Sequence, residues 1–248
     1  MPADGRQEYD ILMKVIELKE TITASNDRDA EVLRESLRQQ GTLLINLMAS
    51  PGAGKTTMLD RTIRDLGGAY RIGVMEADID SDVDAVKLAA LGVTAVQAHT
   101  DGMCHMDAGM TRTALEELAA EGGHDLVFLE NVGNLICPAE FDTGAGKNVM
   151  ILSVPEGDDK PLKYPLMFTK SDVLLISKTD TISVFDFDFD KCEERARKLN
   201  PDIKIFRVSA KTGDGMDAWE TWLKDAIADW KASGAAADGE DAEVGGHA

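Results

Sequence analysis

Eight residues constrain this chain more than any other stretch: Ala49-Ser50-Pro51-Gly52-Ala53-Gly54-Lys55-Thr56. They follow Leu43-Leu44-Ile45-Asn46-Leu47-Met48, an apolar run of buried-strand length, and lead into residues 56–66, which carry helical spacing. A glycine-rich turn between a buried strand and a helix is where backbone N–H groups and a helix N-terminus face phosphate groups. Lys55 is placed to neutralise β- and γ-phosphate oxygens, and the Thr56 hydroxyl to ligate Mg²⁺. Gly52, Ala53, Gly54 and Thr57 complete the candidate phosphate-binding set. The pattern ordinarily opens on glycine where this chain has Ala49, a residue small enough to leave the loop workable.

Short apolar runs recur at residues 72–75, 126–129, 149–154, 173–176 and 203–208, and helical stretches such as 108–121 and 192–199 separate most of them. Alternation of this kind predicts an α/β fold of the P-loop NTPase type, a mostly parallel sheet with helices on both faces. Ahead of the sheet, residues 1–41 read as a helical extension in two pieces. One is an amphipathic helix over 9–19; the other is capped by Asn26 or Asp27 and stops at Gly41. Residues 42–231 form the nucleotide-binding domain, closed by a helix over 217–231 with Trp219, Leu223 and Trp230 facing inward. Residues 232–248 have almost no large apolar side chains and read as a disordered acidic tail.

The chain's 248 residues carry a formal net charge of −19, which repels nucleic acid and anionic membranes as main partners. Cationic cargo, a basic partner, halophilic adaptation or plain solubility would all suit that charge. No apolar run is long enough to span a bilayer, and the first ten residues lack a signal-peptide pattern. Three scattered cysteines, Cys104, Cys137 and Cys192, do not make a disulfide framework, so a reduced, cytoplasmic setting is expected.

Two acidic strand ends complete the expected magnesium site: Glu76-Ala77-Asp78 after residues 72–75, and Glu130-Asn131-Val132-Gly133 after residues 126–129. Ligands of open α/β sheets bind at the carboxyl ends of strands. Asp78 is the preferred metal-side carboxylate, although Asp80, Asp82 and Asp84 crowd the same loop. Glu130 is the preferred partner for Mg²⁺ or the attacking water, and the Gly133 N–H could read the γ-phosphate. Lys55, Asp78 and Glu130 are thus the candidate catalytic residues.

Ser177-Lys178-Thr179-Asp180 and Ser209-Ala210-Lys211 each follow a predicted strand. A carboxylate at Asp180 can accept from guanine N1–H and its exocyclic amine, whereas adenine would leave it unpaired. A backbone N–H in the second motif could reach guanine O6. GTP and GDP are therefore favoured over adenine nucleotides, with Ser177 standing where such motifs usually begin with asparagine.

Cys104-His105 precedes a helix beginning near Asp107, and Cys137 follows Glu130 in one segment. Thiolate and imidazole suit Ni²⁺ or Zn²⁺. Three ligands leave such a site open, and two chains sharing metal across a two-fold axis would supply the rest. An isolated cysteine is more often a small buried hydrophobe, and that reading is retained for Cys192, with His99, His124 and His247 taken as structural or solvated.

In order and without large gaps, ASPGAGKTT, EADIDSDVDA, CHMDA, ENVGNLICPAEFDTG, SVPEGDDKPLKYPLMF, SKTD and SAKTGDGMDAW resemble the hydrogenase nickel-incorporation GTPases of the HypB family. ENVGNLICP and EGDDKPLKYP are the most specific of these. The resemblance implies a homodimeric GTPase of the signal-recognition-particle/MinD-like class with slow intrinsic hydrolysis. It would deliver nickel to the hydrogenase large-subunit precursor alongside a maturation partner. It also implies a metal site at the dimer interface on Cys104, His105 and Cys137. Some relatives carry an N-terminal CxxCGC motif or a histidine-rich stretch; here the first cysteine is Cys104 and the first histidine His99. Nickel would then bind only at the GTPase-domain site, more weakly and without storage. Rival readings are delivery to another nickel enzyme and a non-enzymatic, nucleotide-stabilised metal-binding protein.

Overall fold

The computed structural model describes residues 6–78, 88, 90–100 and 102–244, with side chains described for 23–77, 88, 90–100 and 102–235. Seven parallel strands form the sheet: β1 (Leu43–Ala49), β2 (Ile72–Asp78), β3 (Thr94–His99), β4 (Leu126–Glu130), β5 (Lys147–Ser153), β6 (Val173–Ser177) and β7 (Lys204–Arg207). Their order is β3-β2-β4-β1-β5-β6-β7. The chain leaves β1 toward one edge and later returns to its other side at β5. The switch point therefore lies at the carboxyl ends of β1, β4 and β5, where such sheets bind ligands.

Period-two alternation sorts the strand residues onto two cores. Ile45, Leu47, Val149, Ile151, Val173 and Leu175 face one side, with α2 (Lys55–Leu66), α3 (Ala108–Ala119) and the inner parts of α1 (Arg6–Gln39) and α8 (Met216–Val244). Met48, Met150, Leu152, Leu174 and Ile176 face the other, against Met167, Phe168 and Cys192. Those three lie on α6 (Pro165–Lys170) and α7 (Phe189–Leu199), beyond the short α4 (Cys137–Glu140) and α5 (Lys160–Lys163). Trp219, Leu223 and Trp230 are buried as expected, and Trp219 Nε1 donates to Thr62 Oγ1 (3.1 Å).

Three expectations differ from the structure. The extension is one helix rather than two, because Asn26 does not cap its own helix. Its amide turns outward to Ala108 N and Asp142 O instead. The final helix runs on to Val244, through residues placed in a disordered tail; Ala232 and Ala235–Ala237 carry the highest intrinsic helix propensity. Strand β3 was not anticipated, since its half-buried residues give neither an apolar run nor a clean alternation. His247 lies outside the described residues, and no helix among those described is long and apolar enough to cross a membrane.

One contact tying α8 to the sheet predicts a pH effect. Lys231 Nζ donates to Asp125 Oδ1 (2.6 Å) and the Arg71 backbone N–H to Oδ2 (2.8 Å). Burial pushes this carboxyl up, but Lys231 and Arg71 outweigh it and hold it below the usual carboxylate range. A depressed carboxyl contributes stability above its unfolded value and loses it as pH falls through the folded one. The gap in melting temperature between wild type and Lys231→Ala should therefore narrow as pH drops below about 4. Thermal scans at several pH values check this; a constant gap would make the contact mere packing.

Candidate functional site

The loop between β1 and α2 folds as its glycines dictate. Gly52 (φ 75°) and Gly54 (φ 102°) lie in left-handed backbone, which a Cβ would penalise, and no side chain caps α2. Its first N–H groups therefore face a cavity of about 560 Å³. Gly52, Gly54, Lys55, Thr56 and Thr57 line it, together with Glu76 from β2, Glu130 at the end of β4 and residues 131–133 just after it. Gly133 presses on the loop: a Cβ there would stand 3.0 Å from Pro51 Cγ and 3.2 Å from its Cα, so a larger residue would have to push the loop back by a few tenths of an ångström.

Glu76 and Glu130 are register partners on neighbouring strands, both buried, and the Thr56 hydroxyl donates to Glu130 Oε1 (3.0 Å). Two carboxylates and a hydroxyl make a hard, all-oxygen donor set that fits Mg²⁺. Glu76, which the sequence places in the same acidic run as the preferred Asp78, is the β2 carboxylate that lines the cavity among the described residues. Only strand register marks it, by setting Glu76 opposite Glu130. Asp78 closes β2, but its side chain and Asp80, Asp82 and Asp84 lie outside the described residues.

A second cavity of about 270 Å³ adjoins the first, sharing Gly54, Thr57 and Lys178 with it. Ala53, Ser177, Asp180, Ser209, Ala210 and Lys211 line it, so the two base-motif candidates converge from β6 and β7. Ser209 Oγ donates to Asp180 Oδ1 (2.8 Å), fixing one carboxylate oxygen, while Oδ2 stands 3.9 Å from Lys211 Nζ. Lys178 adopts left-handed backbone (φ 58°) and its Nζ donates to Gly52 O (2.6 Å). Ser177 Oγ donates to Ala53 O (3.0 Å), tying this loop to the phosphate loop.

Cys104 and Cys137 meet. Their Sγ atoms are 2.6 Å apart, longer than a disulfide bond and closer than ordinary sulfur–sulfur contact. That contact and burial push the Cys137 thiol up, partly opposed by the Asn134 amide donating to its sulfur (3.4 Å). His105 Nδ1 lies 3.9 Å from Cys104 Sγ, and its ring stacks on Phe141 at 3.8 Å and 11°. Burial pulls the imidazole below its usual value and so favours the neutral form, the one that ligates metal. Among the described residues no three His, Cys, Asp or Glu side chains close on one point. One chain therefore offers two thiols and a nearby imidazole, an open arrangement. Cys192 is buried in the second core with its thiol pushed up to about 12, and takes no part.

Residues 43–207 match the family model described as CobW/HypB/UreG, nucleotide-binding domain. The chain is 46% identical over 212 residues to the hydrogenase maturation factor HypB of Azotobacter chroococcum mcd 1, covering 85% of this chain and 69% of that protein. It is 40% identical over 213 residues to the hydrogenase/urease maturation factor HypB of Helicobacter pylori J99, covering 85% and 87%. A crystal structure of Helicobacter pylori HypB in complex with nickel superposes with a TM-score of 0.78 at 38% identity, over 83% of this chain and 96% of that one. The signal recognition particle 54 kDa protein of Aeropyrum pernix K1 shares the fold at a TM-score of 0.52 and 14% identity, over 77% of this chain and 48% of that one.

Proposed function

The chain belongs to the HypB family of hydrogenase maturation factors, and from that premise we propose that it is a GTP-hydrolysing nickel metallochaperone whose metal affinity follows its nucleotide state. One observation carries the coupling. Residues 130–133 line the phosphate cavity, and Cys137, four residues on, touches Cys104. A γ-phosphate drawing Gly133 toward the loop would move a nickel ligand on the same short segment, residues 130–138.

In this reading the α2 N-terminus and Lys55 hold the phosphates, with Asp180 and a backbone N–H of residues 209–211 on the base. Thr56, Glu130 and Glu76 would hold Mg²⁺, which when bound supplies charge neutralisation at the β- and γ-phosphates. Glu130 also orients the attacking water. No arginine lines either cavity among the described residues, which supports slow intrinsic hydrolysis awaiting a partner. The open thiol pair supports a homodimer that completes the nickel site from two chains, with Zn²⁺ as a competing occupant. Thiols in contact must stay reduced to bind, which supports a cytoplasmic setting.

The proposed client is the large-subunit precursor of a nickel-iron hydrogenase, reached with a maturation partner. The Helicobacter relative's designation favours urease as a second reading, and co-purification with either apoenzyme separates them.

The test is a Ni²⁺ titration of reduced protein with GDP and with a non-hydrolysable GTP analogue, following oligomeric state in parallel. Coupling of ordinary size predicts affinities differing by about 5- to 150-fold. Equal affinities in the two states would remove the switch from the proposal.

A further inference from the structure

We propose that Asn26 is a positioning residue for the nickel half-site, an inference that rests on Cys104, His105 and Cys137 being that half-site. Its side chain is nearly buried beneath the middle of α1 and spans two segments distant in sequence. Oδ1 accepts from the Ala108 backbone N–H (3.0 Å), and Nδ2 donates to Asp142 O (2.9 Å). Ala108 opens α3, three residues after His105; Asp142 stands five residues after Cys137 and next to Phe141.

These contacts close a ring. The two sulfurs join the segments at one end, the His105–Phe141 stack joins them in the middle, and the Asn26 amide joins them at the other end. Both outer bonds run to backbone atoms, so they set where the segments lie whatever side chains they carry. The chemistry suits asparagine: a peptide N–H requires an acceptor and a peptide C=O a donor, and its amide carries the two on separate atoms that reach apart to the two segments. Arg34, further along α1, pins the second segment independently. Its guanidinium donates to both Asp142 carboxylate oxygens (2.6 and 2.7 Å) and its Nε to Ala145 O (2.9 Å). With residues 142–145 held to α1, Asn26 decides how the Cys104–His105 segment sits against them.

The extension thereby acquires a role in metal geometry that packing alone does not give it. A ligand held by such a shell loses affinity and changes its spectrum when the shell is cut, at the 10- to 100-fold level typical of outer-shell groups.

The experiment is a Ni²⁺ titration of the full chain, read by affinity and by thiolate-to-nickel charge-transfer absorption, for Asn26→Ala, Asn26→Asp and Leu37→Ala. Leu37 is an α1 residue buried in the first core, so Leu37→Ala measures what loss of stability alone does. Asn26→Ala is expected to weaken Ni²⁺ binding about tenfold or more and to shift the absorption, with GTP hydrolysis unchanged. Asn26→Asp keeps the acceptor for Ala108 N–H and should fall between wild type and alanine. Leu37→Ala should lower the melting temperature and leave the nickel spectrum as in wild type. Nickel binding that depends on Cys104 yet is the same in Asn26→Ala overturns the inference alone, as does an equal loss in Leu37→Ala. Nickel binding that survives Cys104→Ala overturns the site reading and the inference together.

Discussion

Replacing Asp180 with asparagine is expected to lower the affinity for GDP and GTP at least about a hundredfold and to raise that for xanthine nucleotides. The argument begins at Ser209, whose hydroxyl holds Asp180 Oδ1 at 2.8 Å. An asparagine can keep that bond only by presenting its own oxygen to Ser209, which turns its NH₂ toward the base. Guanine then meets a donor where its N1–H and amine need acceptors. Two hydrogen bonds to a charged acceptor are lost, each worth about 1.5–3 kcal/mol, and a buried donor is left facing another donor. Xanthine carries a carbonyl in place of the amine and accepts from the new NH₂. Lys211 does not rescue the pocket, since its Nζ stands 3.9 Å from Asp180 and its side chain is largely exposed, where such pairs contribute little. Equilibrium titration with GDP, XDP and ADP reads the outcome. Unchanged GDP binding in the variant would take base recognition away from Asp180, and tight ADP binding in wild type would reopen the choice of purine.

The parts of this molecule that could be read in its sequence are those whose meaning is local. The 49–56 loop declares itself because strand, glycines, lysine and helix are consecutive, and the structure assembles its cavity around them. Asp180 and Ser209 are legible because each motif sits at a strand end; the parallel pairing of β6 with β7 brings them to 2.8 Å. Cys104 and Cys137 stand 33 residues apart, and residue chemistry alone left them equivocal; their contact needed the fold. What stayed hidden was tertiary. Asn26 looked like a helix cap because Ser, Thr, Asn and Asp usually are. Its partners lie 82 and 116 residues away, and no local pattern encodes them. Asn131 gave the same silence. Fully buried, it donates to Asn46 Oδ1 (2.9 Å) and accepts from Met106 N (3.3 Å) and Val132 N (2.9 Å). Nothing local in ENVGN assigns it a role, and only the register of β4 on β1 makes it a link to the Cys104 segment. Glu76 and Asp78 both follow the apolar run 72–75, and only the register of β2 on β4, which sets Glu76 beside Glu130, distinguishes Glu76.

Cys137→Ala is expected to cost at least about a hundredfold in Ni²⁺ affinity while leaving GDP binding intact. In one chain the substitution leaves Cys104 and an imidazole 3.9 Å from its sulfur, one soft ligand where the geometry had brought two within 2.6 Å. In the proposed homodimer each substitution acts twice, so the loss is that of two thiolates at a shared site. The contact also implies that a cation would be needed to hold the pair together as thiolates. Burial and the neighbouring sulfur both push the Cys137 thiol up, so the two cannot readily ionise side by side without a cation between them. Cys137→Ser separates shape from chemistry: it keeps a small polar group at the start of α4 but offers a hard oxygen that nickel in a sulfur site does not prefer. It should therefore fail almost as badly as alanine. Cys192→Ala supplies the opposite control, since that thiol is sealed in the second core and should leave nickel binding unchanged. Should Cys137→Ala and Cys137→Ser both bind Ni²⁺ at wild-type stoichiometry and affinity, the paired sulfurs would be a packing contact. The segment running from Glu130 to Cys137 would then carry no metal for the nucleotide to move.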